Sequence, residues 1–325
     1  MARLSAAVAM LALALGAASP ATADDAADFP AAPVRVIVPF AAGGPTDVVA
    51  RILAELLTAR WGGSSVVVED RPGAGTILAT SAIAQARPDG TTIGIATNSL
   101  LINPAIGLAL PYDTRKDLTS ITMIATQPVA LVANPAFPAA TLADVIALAK
   151  RSAEPLNYTS PGPRGVGHLA GEMLKQRAGI AMQHINYNGS APALNDVIAG
   201  RVPLMFDIWH SARRYVESGQ LKLIAGAGLA PLPGAENAPL IAQTFPGFNV
   251  IAFNAVIGPA GIPPPVLEKL STYIGAVVDS PEFAERTRPL GIDAKSMAPH
   301  VLDAWFAREM DKWAEIAKEA HLKPE

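Results

Sequence analysis

The sequence predicts an α/β fold with largely parallel sheets in two lobes, and three observations carry that expectation. Short apolar runs alternate with amphipathic segments along the whole chain. In the segment after Phe40, apolar residues fall at Val48, Val49, Ile52, Leu53, Leu56 and Leu57, the 3.6-residue period of a helix. At 325 residues the chain exceeds what one hydrophobic core serves, so two lobes are expected.

Taken in order, VRVIVPF is a strand that hands over to the helix just described. SVVVED is a second strand, leading through RPGAG into the helical TILATSAIAQA. After the PDG turn, TIGIAT is the next strand. MIATQPVALVANP contains two strand-like runs around a proline. TLADVIALAKR carries a capping box from Thr141 to Asp144. LNYTS precedes the helical HLAGEMLKQR, which Gly179 stops. MQHINY precedes GSAPALNDVIAG, PLMFDI precedes WHSARRYVESG, and VIAFNAVIG opens the last section. LDAWFAREMDKWAEIAKEA closes the chain as a long amphipathic helix whose Trp305 and Trp313, close to two turns apart, pack on the core. Strand, short loop and helix in repetition is the pattern of an α/β fold.

The amino terminus predicts export. A basic Arg3, the apolar AAVAMLALALG and an Ala-x-Ala site ending at Ala23 describe a secretory signal peptide over 1–23, cleaved after Ala23. The apolar run is shorter than the ~20 residues of a membrane span, and no later segment qualifies. The chain has no cysteine, which excludes a lipid-anchored lipoprotein and a disulfide framework. The expected product is a soluble periplasmic protein. Half the chain is apolar, 16% is charged and the net charge is −3, which gives no sign of nucleic-acid binding.

Open α/β sheets bind ligands beyond the carboxyl ends of their strands. Five strand-to-helix junctions share a chemistry rich in Gly, Ser, Thr and Asn: AAGGPTD at 41–47, TNSLLINP at 97–104, SPGPRGVGH at 160–168, YNGSAPA at 187–193 and FDIWHSA at 206–212. A helix start offers unpaired amides and about half a positive charge, which suits a carboxylate or phosphate. Several such starts converging build an anion pocket without many arginines. Asn98 and Ser99 join the candidate set from the second junction. Each glycine taken alone reads equally well as a turn residue.

At these motifs the chain resembles the Bug receptors, the TctC-type substrate-binding proteins of tripartite tricarboxylate transporters. The likeness rests on PF-x-x-GG-x-x-D (Pro39, Phe40, Gly43, Gly44, Asp47), RPGAG at 71–75, PDG at 88–90, PYD at 111–113 and HLAGE at 168–172. Tyr187, Gly189, Pro192, Ala193, Phe206–Asp207 and GPAG at 258–261 extend it over nearly the whole mature chain. The resemblance implies a two-lobed periplasmic binding protein of type II-like fold, with mixed sheets flanked by helices and crossing strands as hinge. It implies closure over a small organic carboxylate, which is then delivered to membrane permease subunits, with no cofactor. The implied ligand-facing set is Phe40, Ala42, Gly43, Gly44, Thr46 and Asp47 in the first lobe. Ser160, Gly162 and the start of the following helix, with Gly165, face them from the second, and Tyr187, Gly189 and Asp207 are nearby. Gly43 and Gly44 would let the backbone approach the ligand.

One departure concerns the second lobe. The family reads S-x-G-x-G-S before the HL pair, whereas this chain has Arg164 and Gly165 in the last two places. A hydroxyl is lost and a guanidinium gained, and arginine grips carboxylates in bidentate fashion. Arg164 is therefore expected to pair with a carboxylate of a dicarboxylic or aromatic acid, the alternative being a solvated loop arginine.

Other residues carry plainer readings. Asp47 either orients ligand or caps amides. His168 is structural. Trp209 and His210 pack or lie at the surface rather than stack on ligand, and Arg213 and Arg214 form a solvated helix face. Ser160, His168 and Asp207 could be imagined as a hydrolase triad, but no G-x-S-x-G elbow surrounds the serine. The five histidines form no metal-ligand cluster, and RPGAG is not the dinucleotide fingerprint. A periplasmic sensor on the same fold is the remaining alternative to transport. The lobes are expected at 24–128 plus 253–325 and at 129–252, with crossings near Gln127–Val129 and Val250–Phe253 and the ligand cleft between them. A monomer is expected.

Overall fold

A computed structural model describes residues 29–30, 32–62, 65–162, 165–187, 189–290 and 292–319. The expected signal peptide and Arg164 lie outside the described residues.

The first section runs β1 (Val34–Val38), α1 (Pro45–Arg60), β2 (Val66–Asp70), α2 (Ile77–Ala84), β3 (Thr92–Ala96) and α3 (Ser99–Ala105). A long strand, β4 (Leu118–Ala133), leads to α4 (Leu142–Arg151), β5 (Leu156–Ser160), α5 (Val166–Ala178), β6 (Met182–Asn186) and α6 (Ser190–Ile198). Next come β7 (Leu204–Ile208), α7 (Trp209–Glu217), β8 (Lys222–Gly226) and α8 (Ile241–Thr244). The chain ends with β9 (Ile251–Pro259), α9 (Pro264–Val278), α10 (Pro281–Thr287), β10 (Asp293–Ala294) and α11 (Pro299–Glu319).

The strand order is β2-β1-β3-β9-β4-β7-β5-β6, with β10 and β8 also pairing β4. This is a mixed α/β fold: β1, β2 and β3 are parallel to one another, as are β5, β6 and β7, while β9 and β4 pair antiparallel to their neighbours. Both faces of the sheet are covered, which explains the near-continuous apolar strands. In β1, Val34, Val36 and Val38 join the core under α1, α9 and α10, while Ile37 joins Ala79 and Ile83 of α2 on the other face. In β4, Val129, Leu131 and Ala133 face one core, and Ala130 and Val132 pack with Ala193, Leu194 and Val197 of α6. The period of two assigns each side chain to its layer.

MIATQPVALVANP forms one strand and not two runs. Residues 118–128 of β4 pair with β9, and from Val129 onward the partners are β7 and β8. Pro128 sits at the change of partner, where its missing N–H interrupts little. The chain crosses back at 250–251: Val250 N–H donates to the Ala227 carbonyl at 2.8 Å, and β9 starts at Ile251. Beside the crossing, buried Gln127 Nε2 donates to Asn254 Oδ1 at 3.0 Å. Finally, α11 packs on α3, β4 and α5, with Trp313 fully buried and Trp305 edge-on to Phe253.

Local signals for helix ends hold in detail. Thr141 and Asp144 form the reciprocal capping box of α4, worth about 1 kcal/mol. Gly179 ends α5 at φ 61°, ψ 45°, and Ile180 N–H donates to the Lys175 carbonyl at 3.1 Å.

Candidate functional site at the shared carboxyl edge

The register of the strands brings the junctions together. Ala96, at the end of β3, lies level with Ala255 of β9, which pairs with Met123 of β4. Strand β4 therefore runs past the carboxyl ends of β1 and β3 before it changes partner. On the other side, Val129 pairs with Ile208, the last residue of β7, and Ser160 and Asn186 close β5 and β6 at the same end. The carboxyl ends of both parallel sets thus converge on Pro128–Val129, and the five predicted junctions all leave from this edge. The loop after β2 leaves it too. That loop holds Ala74 and Thr76 at φ 47° and 78°, a conformation costly for residues with a Cβ.

Three helices begin there behind a glycine. Gly44, Gly165 and Gly189 are the N-caps of α1, α5 and α6, and none of the three caps makes a side-chain hydrogen bond. Their first-turn amides are left for a ligand or water. Away from this edge, α4 and α10 carry Thr141 and Ser280 side-chain caps.

The predicted residues divide by how they are engaged. Phe40, Ala42 and Gly43 are exposed in the first loop. Gly43 adopts φ 81°, which only glycine takes at little cost, whereas Gly44 has an ordinary extended conformation. Thr46 is half-buried in the first turn of α1. Asp47 is turned to its own loop: its carboxylate accepts from Gly43 N–H at 2.7 Å and from Arg51 Nε at 3.0 Å. Burial opposes its ionisation, but Arg51 and Gly43 hold its carboxyl below the usual range. Arg51 also bridges to Asp70 at 2.9 Å. Asn98 is spent on β9, donating to the Ile251 carbonyl at 2.9 Å and accepting from Phe253 N–H at 3.2 Å, and Ser99 opens α3.

In the other set, Ser160 is fully buried; its hydroxyl meets the Gly162 carbonyl at 3.0 Å and His184 Nε2 at 2.8 Å. His184 stacks on His168 at 4.0 Å between ring centroids, and burial pushes its imidazole below the usual range. The Tyr187 hydroxyl donates to Asp196 at 2.5 Å. Gly189 stands at φ 109°, and its N–H donates to the Pro161 carbonyl at 2.6 Å. Asp207 is buried, accepting from Ile208 N–H at 2.8 Å and from the Ser190 hydroxyl, and burial raises its carboxyl to about 7 against those two hydrogen bonds.

The imagined triad is absent as geometry. Ser160 pairs with His184, not His168, and Asp207 pairs with Ser190. Sequence reasoning missed Ser190 and His184 as partners. A serine opening α6 directly after Gly189 was the available signal for the first; nothing local marked His184, 24 residues from Ser160.

An α/β chain with two sets of parallel strands in one sheet and glycine-led helices at their shared carboxyl edge has the form of a solute-binding receptor. Comparison with known proteins gives the family. Residues 49–322 match the model of the tripartite tricarboxylate transporter family receptor, TctC, and the chain belongs to that family. It is 30% identical to BugT of Bordetella pertussis over 99% of both chains. Among solved structures, an R. palustris protein with adipate superposes with a TM-score of 0.80 at 29% identity, covering 92% of this chain and 100% of the other. The periplasmic binding protein BugD superposes at 0.76 with 31% identity, covering 91% and 100%. The chain is therefore a periplasmic-type receptor of a tripartite tricarboxylate transporter, and among its described residues no helix is long and apolar enough to cross a membrane.

Proposed function

We propose that this receptor captures a small organic carboxylate between two lobes, 24–128 plus 253–325 and 129–252, and delivers it as a monomer to membrane permease subunits. The single observation that carries the reading is the trio of glycine-capped helix starts, α1, α5 and α6, around the edge where both strand sets end. Half a positive charge and free amides at each start recognise a carboxylate without a basic field. Adipate in the similar R. palustris protein supports the ligand class. The partner change of β4 at Pro128–Val129 and the return at 250–251 support the two crossings as hinge. Ligand then favours the closed form because both lobes touch it only there. The chain acts as an exported binding protein after cleavage behind Ala23, and catalyses no reaction.

The test is a thermal-shift screen of the mature protein against mono-, di- and aromatic carboxylates. A ligand at a hundred times its Kd adds about 2.7 kcal/mol and moves the midpoint by several degrees. If no carboxylate shifts the midpoint, the ligand class is wrong. Small-angle scattering checks closure: the radius of gyration falls at saturation, and an unchanged radius removes the hinge.

A further inference from the structure

A cleft of about 1000 Å³ opens beside Ser190, at the upper end of what small-molecule sites enclose. One wall is α6 and α7; the other is Arg288, Pro289, Ile292 and Asp293, beyond α10, of which Asp293 pairs β4 before the crossing. The cleft is thus bordered by elements that pair on opposite sides of Pro128–Val129. Trp209 forms part of its floor, 3% exposed and fixed by its indole N–H on the Pro233 carbonyl at 2.9 Å.

The charges facing this cleft are three guanidiniums, Arg213, Arg214 and Arg288, and two carboxylates, Glu217 and Asp293. Arg213 and Glu217 satisfy each other at 2.6 Å. The Arg214 guanidinium lies over the Tyr215 ring and bonds its hydroxyl at 2.6 Å, with no carboxylate partner among the described residues. Arg288 is exposed and makes no ion pair among the described residues. Among the described residues lining the cleft, two guanidiniums without a carboxylate partner therefore stand against Asp293. His210 at the rim reads the same field: partial desolvation and then Arg213 and Arg214 hold its imidazole below the usual range.

We propose that this cleft is a second anion subsite, in which a carboxylate on the far end of the captured solute lies between Arg214 and Arg288. It rests on the carboxylate-receptor reading above and narrows it: the preferred solute is a dicarboxylate, one group at the glycine-led helix starts and the other among the arginines. The fork of each guanidinium matches a carboxylate in two hydrogen bonds. Because Arg214 and Arg288 come from the two sides of the crossing, the second carboxylate also draws those sides together.

The experiment is calorimetric titration of the mature protein with succinate, adipate and suberate, each against the monocarboxylate of equal length, at low and at physiological ionic strength. The quantity read is the ratio of dicarboxylate to monocarboxylate affinity. Arg288→Gln and Arg214→Gln each lower that ratio roughly tenfold or more. Asp293→Asn raises it, a gain that a folding defect cannot mimic. Added salt lowers it, because the groups are solvent-exposed. A wild type that binds dicarboxylates with a ratio unchanged in all three variants overturns the subsite and leaves the receptor standing. A wild type that prefers monocarboxylates overturns it as well. No binding of any carboxylate overturns the receptor reading itself.

Discussion

Ser190, the first residue of α6, donates its hydroxyl hydrogen bond to Asp207, near the carboxyl end of β7. The pair ties two of the junctions at the shared edge, and it leaves a carboxyl group 2% exposed with no cation beside it among the described residues. Burial raises that carboxyl from 3.8 to about 7, more than the Ser190 and Ile208 donors lower it.

The pH dependence follows from that shift. Between 3.8 and about 7 the folded chain keeps a proton that the unfolded chain releases, so stability falls as pH rises through this window. A shift of this size corresponds to about 4 kcal/mol over the window. Asp207→Asn removes the slope. The midpoint of the variant minus that of the wild type is expected to rise by several degrees from about pH 5 to about pH 8. A constant difference in melting curves across that range contradicts the assignment.

Gly43 and Gly44 are expected to separate. Alanine at Gly43 must adopt φ 81° and costs about 1–2 kcal/mol. Alanine at Gly44, already extended and with 3.4 Å from the new Cβ to the Ala41 carbonyl, costs about 0.5 kcal/mol. Urea unfolding measures both. Carboxylate affinity is expected to suffer more from Gly44→Ala than its stability does, because the methyl group stands where the α1 amides open.

His184 positions the Ser160 hydroxyl. That hydroxyl has one proton; when it donates to the Gly162 carbonyl, it accepts from a protonated His184 Nε2. His184→Gln keeps a donor and retains carboxylate binding, whereas His184→Leu leaves the buried Ser160 oxygen bonded through its proton to Gly162 but without a donor, and weakens binding several-fold. The imidazole is depressed in the fold, so His184 withdraws stability as pH falls below 6.5. Both variants flatten that acid-side loss in thermal melts, and a loss that persists in both refutes the role.

Gly171 marks where α5 presses on β5. A Cβ there meets Cε2 of Tyr158 at 2.0 Å. Tyr158 cannot yield, being fully buried with its hydroxyl bonded to Glu172 at 2.9 Å. Gly171→Ala is expected to cost about 3 kcal/mol, read as a fall in the urea midpoint. A midpoint within error of the wild type contradicts the packing.

Much of the fold is legible in short stretches. The 3.6 period of α1, the Thr141–Asp144 box and the Gly179 stop are read within a few residues and appear as such. The site was half-legible: glycine-led helix starts are local signals, but Asn98 and Asp47, plausible ligand groups by type, are spent on β9 and on the first loop. Asp47 is engaged by Gly43 and Arg51, each four residues away, but Asn98 is engaged by Ile251, 153 positions on, which no local pattern reveals.

By itself the sequence determined the alternation of strand and helix, the helix starts and stops, and the motif set of the family, because each depends on side chains a turn or a pleat apart. Only the tertiary structure decided that β4 is one strand shared by both strand sets and that their carboxyl ends meet at Pro128–Val129. It also decided that Ser160 belongs with His184, Asp207 with Ser190 and Gln127 with Asn254, and that Arg214 and Arg288 line one cleft. Those pairings join residues from 17 to 127 positions apart, as in Ser190–Asp207 and Gln127–Asn254. They are selected by which registers bury apolar surface without stranding a polar group, a condition met by the whole sheet and not by any segment of it.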